Sequence, residues 1–137
     1  MTQNKIAMFW ENKGDYVQCY LCPHNCKIKD EMLGICNARQ NIEGTLYTLN
    51  YGKISSLGLD PIEKKPLYRF FPGTNIFSVG TFGCNFKCLY CQNWTIAQEK
   101  PNTMSMRPQQ LIEQALKTDS IGIAFTYNEP SIWYEYV

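Results

Sequence analysis

The chain has 137 residues, of which 45% are hydrophobic and 18% charged, with 13 Lys and Arg against 12 Asp and Glu. That length and composition suit about one globular domain and exclude disordered or fibrous chains. A formal net charge of +1 gives no long-range pull toward nucleic acid or an anionic membrane. No stretch is apolar enough for a signal peptide or a spanning helix, so a soluble cytoplasmic protein with no nucleic-acid or membrane partner is expected.

Seven cysteines fall in two tight groups and nowhere else. An odd number so clustered argues for metal or redox chemistry and against a disulfide framework. The first group, Cys19, Cys22, Cys26 and Cys36, lies in a loop-like segment broken by Pro23, Asn25, Asp30, Gly34 and Asn37. Thr45–Leu57 has short alternating apolar stretches between Gly44 and Gly52, which predicts a small β-hairpin. Pro61, Pro66 and Pro72 then forbid a helix or a central strand, leaving an ordered connector.

Asn75–Gly80 reads as a strand buried on both faces, and it delivers the chain into the second group, Cys84, Cys88 and Cys91. Pro108 opens a helix carrying Leu111, Ile112, Ala115 and Leu116. A second buried strand is expected over residues 121–126, and Pro130 begins another helix. Strand, helix and strand in this order predict a parallel pair with a right-handed crossover. One such unit cannot cover both faces of a parallel sheet, and no stop signal precedes Val137, so the N-terminal part of a longer enzyme is expected.

Cys84-x-x-x-Cys88-x-x-Cys91 supplies three thiolates, one fewer than a closed zinc site or a complete four-iron cluster takes, which would leave one iron open. Four thiolates in the first group are enough for zinc or a second iron–sulfur cluster. After the second strand come Asn128 and Glu129, polar residues at the end of the sheet where α/β folds bind ligands; both also suit the start of a helix. Lys64 and Lys65 read as solvated surface.

Gly83-Cys-Asn-Phe-Lys-Cys-Leu-Tyr-Cys91 resembles the radical S-adenosylmethionine (SAM) motif. With Cys22-Pro-His-Asn-Cys26, Gly34-Ile-Cys36, residues 60–67, residues 91–94 and residues 126–130, the chain is similar to the radical enzymes of the AmmeMemoRadiSam system, which are pyruvate formate-lyase activating enzyme-like. The resemblance implies an α/β fold: the N-terminal portion of a partial (βα)6 TIM-like barrel over 74–137, preceded by a cysteine-rich, loop and hairpin region over 1–73. It implies a [4Fe-4S] cluster on Cys84, Cys88 and Cys91 and reductive cleavage of SAM to a 5′-deoxyadenosyl radical that takes hydrogen from a substrate. Tyr90 would contact the adenine, and Glu129 with Asn128 the methionine end, although Tyr127 and Asn128 replace the two glycines usual there. An electron donor such as flavodoxin or ferredoxin follows, as does a protein substrate if the activase role is literal. The 137 residues alone are expected to be inactive. The competing reading is a non-catalytic zinc or iron–sulfur module serving interaction or electron transfer.

Overall fold

The computed structural model describes residues 4–137. In chain order the chain forms β1 (Lys5–Ile6), β2 (Trp10–Asn12), β3 (Val17–Cys19), β4 (Lys27–Ile28), β5 (Arg39–Ile42), β6 (Thr45–Thr48), β7 (Lys53–Ile54), β8 (Ser56–Pro61) and β9 (Asn75–Gly80). There follow α1 (Trp94–Gln98), β10 (Met104–Ser105), α2 (Pro108–Leu116) and β11 (Ile123–Phe125), with single 3-10 turns at Ile62–Lys64 and Pro130–Trp133. The strands make several small sheets, none closed into a barrel: β1-β6-β5, β2-β3-β4, the pair β7-β10, and a mixed sheet β8-β9-β11. No helix among the described residues is long and apolar enough to cross a membrane.

The expected parallel pair is present. Phe77, Ser78 and Val79 of β9 lie opposite Ile123, Ala124 and Phe125 of β11, and the connection between them carries α1 and α2. β9 is central and its last four residues are buried. β11 is only half-buried, so its apolar sequence overstates its depth. Of the apolar residues on α2, Leu111 and Ala115 are buried while Ile112 and Leu116 face solvent, a stripe one residue wide at the i, i+4 spacing. Where a second helix is expected after Pro130, a 3-10 turn forms and buries Ile132 and Trp133.

Two local expectations are corrected. Thr45–Thr48 does enter a hairpin, but its partner is Arg39–Ile42 upstream. Glu43 and Gly44, both at positive φ, make the two-residue turn that such a connection requires. The proline-rich connector opens with a true strand, for Ser56–Pro61 pairs antiparallel with β9 along all six residues. β8 is an edge strand with Pro61 at its end, where a missing N–H is tolerated.

One core draws on both ends of the chain. Cys36, Ala38 and Ile54 pack with Val79, Ile132 and Trp133. The indole of Trp133 donates to the Asn50 carbonyl at 2.8 Å and its ring stacks on Tyr136. A second cluster, with Val17, Cys19, Ile28 and Leu46, sits under the N-terminal sheets.

Arg39 and Glu135 tie the two ends together. Their side chains form an ion pair and are 1% and 2% exposed. Arg39 Nη1 also donates to the Met8 carbonyl at 2.8 Å, and the Met8 amide donates to Glu135 at 2.8 Å. Removing one partner leaves a buried charge uncompensated, at a cost of about 3–5 kcal/mol. Glu135→Ala is therefore expected to lower unfolding free energy by about that amount, and Arg39→Met/Glu135→Leu to recover most of it, as read from urea denaturation. Equal losses in the single and double variants would contradict the pair's role.

Candidate metal centre

The loop that carries Cys84, Cys88 and Cys91 leaves the C-terminal end of β9 and is fixed at its root. The Gly83 amide donates to the Ile96 carbonyl at 2.9 Å, and the Cys84 amide to the Cys36 carbonyl at 3.0 Å. Asn128, just past β11, donates from Nδ2 to the Gly83 carbonyl at 2.7 Å and accepts the Thr81 amide on Oδ1 at 3.2 Å. Gly83 stands at φ +85°, and a Cβ there would come within 2.5 Å of the Cys36 carbonyl oxygen. Only glycine allows that approach. Farther along, Gln98 at the end of α1 donates to the Phe86 carbonyl at 2.8 Å and accepts from Lys87.

Exposure rises steeply along this loop. Cys84 is buried, Cys91 half-buried and Cys88 exposed, and Leu89 and Tyr90 stand almost wholly in solvent. The Cys84 sulfur accepts the Phe86 amide at 3.5 Å. The buried Asn85 Oδ1 has no hydrogen-bond partner.

Beside the loop, at the end of β11, lies a cavity of about 590 Å³ lined by Lys64, Lys65, Gln92, Asn93, Tyr127 and Asn128 among others. Its back wall is organised by Asp60, whose carboxylate accepts from Lys64 and Lys65 at 2.8 Å each and from the Tyr127 hydroxyl at 2.9 Å. Burial alone would raise the Asp60 carboxyl, but the hydrogen bonds led by Lys64 and Lys65 outweigh it and hold the group well below the usual carboxylate range. Tyr127 stands at φ 73°. Its ring rests where a Cβ on Gly80 would clash at 2.9 Å, and its hydroxyl where one on Gly58 would clash at 2.7 Å.

The first cysteine group converges from three segments. Cys19 ends β3 and Cys26 precedes β4, joined by a bond from the Cys19 amide to the Cys26 carbonyl at 2.9 Å. Cys22 sits in the turn between them, and Cys36 in the turn before β5. All four thiols line one cavity of about 10 Å³, whose other lining side chains are Arg39 and apolar residues. Burial pushes the Cys19 and Cys36 thiols up, and the nearby Arg39 partly opposes this. His24 lies beside Cys22, with 3.5 Å between Nδ1 and sulfur. Among the described residues no three His, Cys, Asp or Glu side chains stand close enough to coordinate an ion without adjustment.

Comparison with known proteins adds to this geometry. Residues 78–137 match the family model described as the radical SAM superfamily. These residues are thus similar to a radical SAM superfamily domain. The chain is 47% identical over 135 residues to an uncharacterized protein of Methanocaldococcus jannaschii, MJ0808, a match covering 96% of this chain and 40% of that protein. A second uncharacterized protein of the same organism, MJ0674, is 32% identical over 87 residues, which is 63% of this chain and 21% of that protein. The chain thus spans less than half the length of the curated relatives it matches. No solved structure matches it.

A radical SAM domain implies a [4Fe-4S] cluster, SAM and a partial TIM-barrel region, and the residues present fit the cluster. Three thiols on one loop are the ligands that iron–sulfur clusters take. Glu129 caps the turn after it, its carboxylate accepting the Ser131 amide at 3.1 Å. Asn128 is held to the loop root. In the sequence Lys64 and Lys65 look like solvated surface, and Asp60 and Tyr127 carry no sign of a role in binding. The one signal for them is the four-residue spacing of Asp60 and Lys64 within a proline-bounded turn.

Gly83→Ala forces a side chain into left-handed backbone and against a carbonyl. It is expected to cost about 1–3 kcal/mol in urea denaturation and to lower the iron bound per chain after anaerobic reconstitution. Wild-type stability and iron content in this variant would show that the close approach is not needed.

Proposed function

We propose that the protein acts as a radical SAM enzyme, with Cys84, Cys88 and Cys91 holding three irons of a [4Fe-4S] cluster and the fourth iron left for SAM. The observation that carries this reading is the placement of a three-cysteine loop at the C-terminal end of a buried parallel strand, with Asn128 from the next strand bonded to its root. On this reading residues 1–73 form a metal-binding region with its connector, and residues 74–137 the start of a partial (βα)6 barrel. A cluster held by these three cysteines would, once reduced, supply one-electron chemistry for the cleavage of SAM to methionine and a 5′-deoxyadenosyl radical.

The chain's own groups bind and orient. The cavity beside the loop has a volume typical of small-molecule sites, and Tyr90, exposed on the loop, offers a ring face to an adenine. The Glu129 carboxylate keeps acceptor capacity beyond its one bond to Ser131, enough for the ammonium of the methionine end. Asn128 acts at the loop root, setting where the cluster ligands start. The finer assignment rests on family resemblance: an activase that draws hydrogen from a glycine Cα–H of a partner protein, reduced by flavodoxin or ferredoxin.

A full-length form, reconstituted with iron and sulfide and reduced anaerobically, is expected to convert SAM to 5′-deoxyadenosine, followed by chromatography, and the 137 residues alone to give little or none. Cys88→Ala, at an exposed position, is expected to abolish that conversion while leaving the fold intact by circular dichroism. Undiminished 5′-deoxyadenosine in this variant would refute the cluster assignment. A reconstituted protein that takes up zinc alone and stays colourless would favour a non-catalytic metal module.

A further inference from the structure

The radical SAM match begins at residue 78 and leaves the first cysteine group without a role. Two independent observations point to a ligand there. Four thiols from separate turns line one small cavity. Arg39 lines the same cavity at 1% exposure and keeps a buried Nε–H with no acceptor. A buried donor without a partner is rare in native structures, and a thiolate sulfur in that cavity is the acceptor at hand.

The chemistry of the lining decides the class of ligand. The side chains are four thiols, a guanidinium and apolar groups, so they offer no hard oxygen ligand for calcium or magnesium. The free space between the four cysteines is small, about 10 Å³, so closing the turns on a single ion asks for less movement than opening them around a four-iron cubane. Four cysteines with no open position are the pattern of a structural zinc site.

We propose that Cys19, Cys22, Cys26 and Cys36 bind one tetrahedral zinc ion, with Arg39 donating to the thiolates, and that this site holds the wall on which the Cys84 loop is built. On binding, four thiols release four protons to solvent and the ion takes four sulfurs, leaving a centre of net charge −2, of which the Arg39 cation, already paired with Glu135, offsets only part. No electron is transferred. The link to the second loop is direct: the carbonyl of Cys36 accepts the amide of Cys84, and Gly83 packs against that same carbonyl. Fixing the Cys36 sulfur fixes the peptide that positions the first cluster ligand. Only this last part rests on the radical SAM reading.

The test separates the two readings by removing one of them. In the full chain carrying Cys84→Ala, Cys88→Ala and Cys91→Ala, cobalt(II) is expected to bind at one ion per chain, with the visible bands of tetrahedral thiolate coordination, and zinc to displace it. Titration of the zinc-loaded triple variant with a mercurial is expected to release one zinc as four thiols react. Adding Cys22→Ser should remove the tetrathiolate spectrum. Arg39→Met/Glu135→Leu, added to the triple variant, should keep the bands and weaken retention about 10–100-fold, the usual effect of losing an outer-sphere partner. Failure of the triple variant to take up cobalt or zinc, bands unchanged by Cys22→Ser, or iron with acid-labile sulfide on these four cysteines would overturn the zinc site. For the coupling, Cys22→Ser in the otherwise wild-type chain is expected to lower the iron retained at the second loop. Full iron retention there would overturn the coupling and leave the zinc site standing.

Discussion

The Arg39 guanidinium, 1% exposed, is an ion taken almost wholly out of water, and that is tolerable only where opposite charge and acceptors surround it. Here they come from distant parts of the chain: the Met8 carbonyl and the Glu135 carboxylate. Holding one side chain therefore requires the N-terminal strands and the residues after β11 to meet at a point. Arg39 also begins β5, which pairs with β6 and through it with β1, so its placement carries a whole sheet with it.

From that point the order passes to the second cysteine loop. Cys36 stands three residues before Arg39 and offers its carbonyl to Cys84; Ala38, between them, lies 3.1 Å from where a Cβ on Gly83 would stand. Asn128 closes the other side of the same peptide. The root of the loop is thus pinned between an N-terminal turn and the end of β11, two structures that the radical SAM motif itself does not contain. A short motif can name the ligands, but it cannot by itself place them.

The sequence was most legible where the determining residues are neighbours. The two cysteine groups, the buried strand at Asn75–Gly80 and the helix opened by Pro108 all depend on local spacing, and the structure has each of these elements. β8 was hidden because three prolines within residues 58–73 speak against a strand, whereas Pro61 only terminates one on a sheet edge, where the penalty is small. The hairpin's true first strand, Arg-Gln-Asn-Ile, is too polar to read as a strand. It buries Arg39 and Asn41 because their partners lie far off in sequence, at Glu135 for one and at the Ile28 carbonyl for the other. Asp60, Lys64, Lys65 and Tyr127 escaped for the same reason: a carboxylate that gathers two ammonium groups and a phenol 67 residues away leaves no periodicity to detect.

The contrast between the root and the tip of the cysteine loop bears on how such a site assembles. Cys84 and Asn85 are buried, and the Cys84 amide is bonded to the Cys36 carbonyl, while Cys88, Leu89 and Tyr90 stand exposed. On the proposed reading one ligand is fixed at the root and two lie farther out on the loop, so the ordering of the tip would be met by the metal–sulfur bonds themselves. The same logic applied to the first cysteine group gives the opposite design. There two of the four thiols are buried, and a resident cation, Arg39, already offsets part of the negative charge that closing on a metal would create.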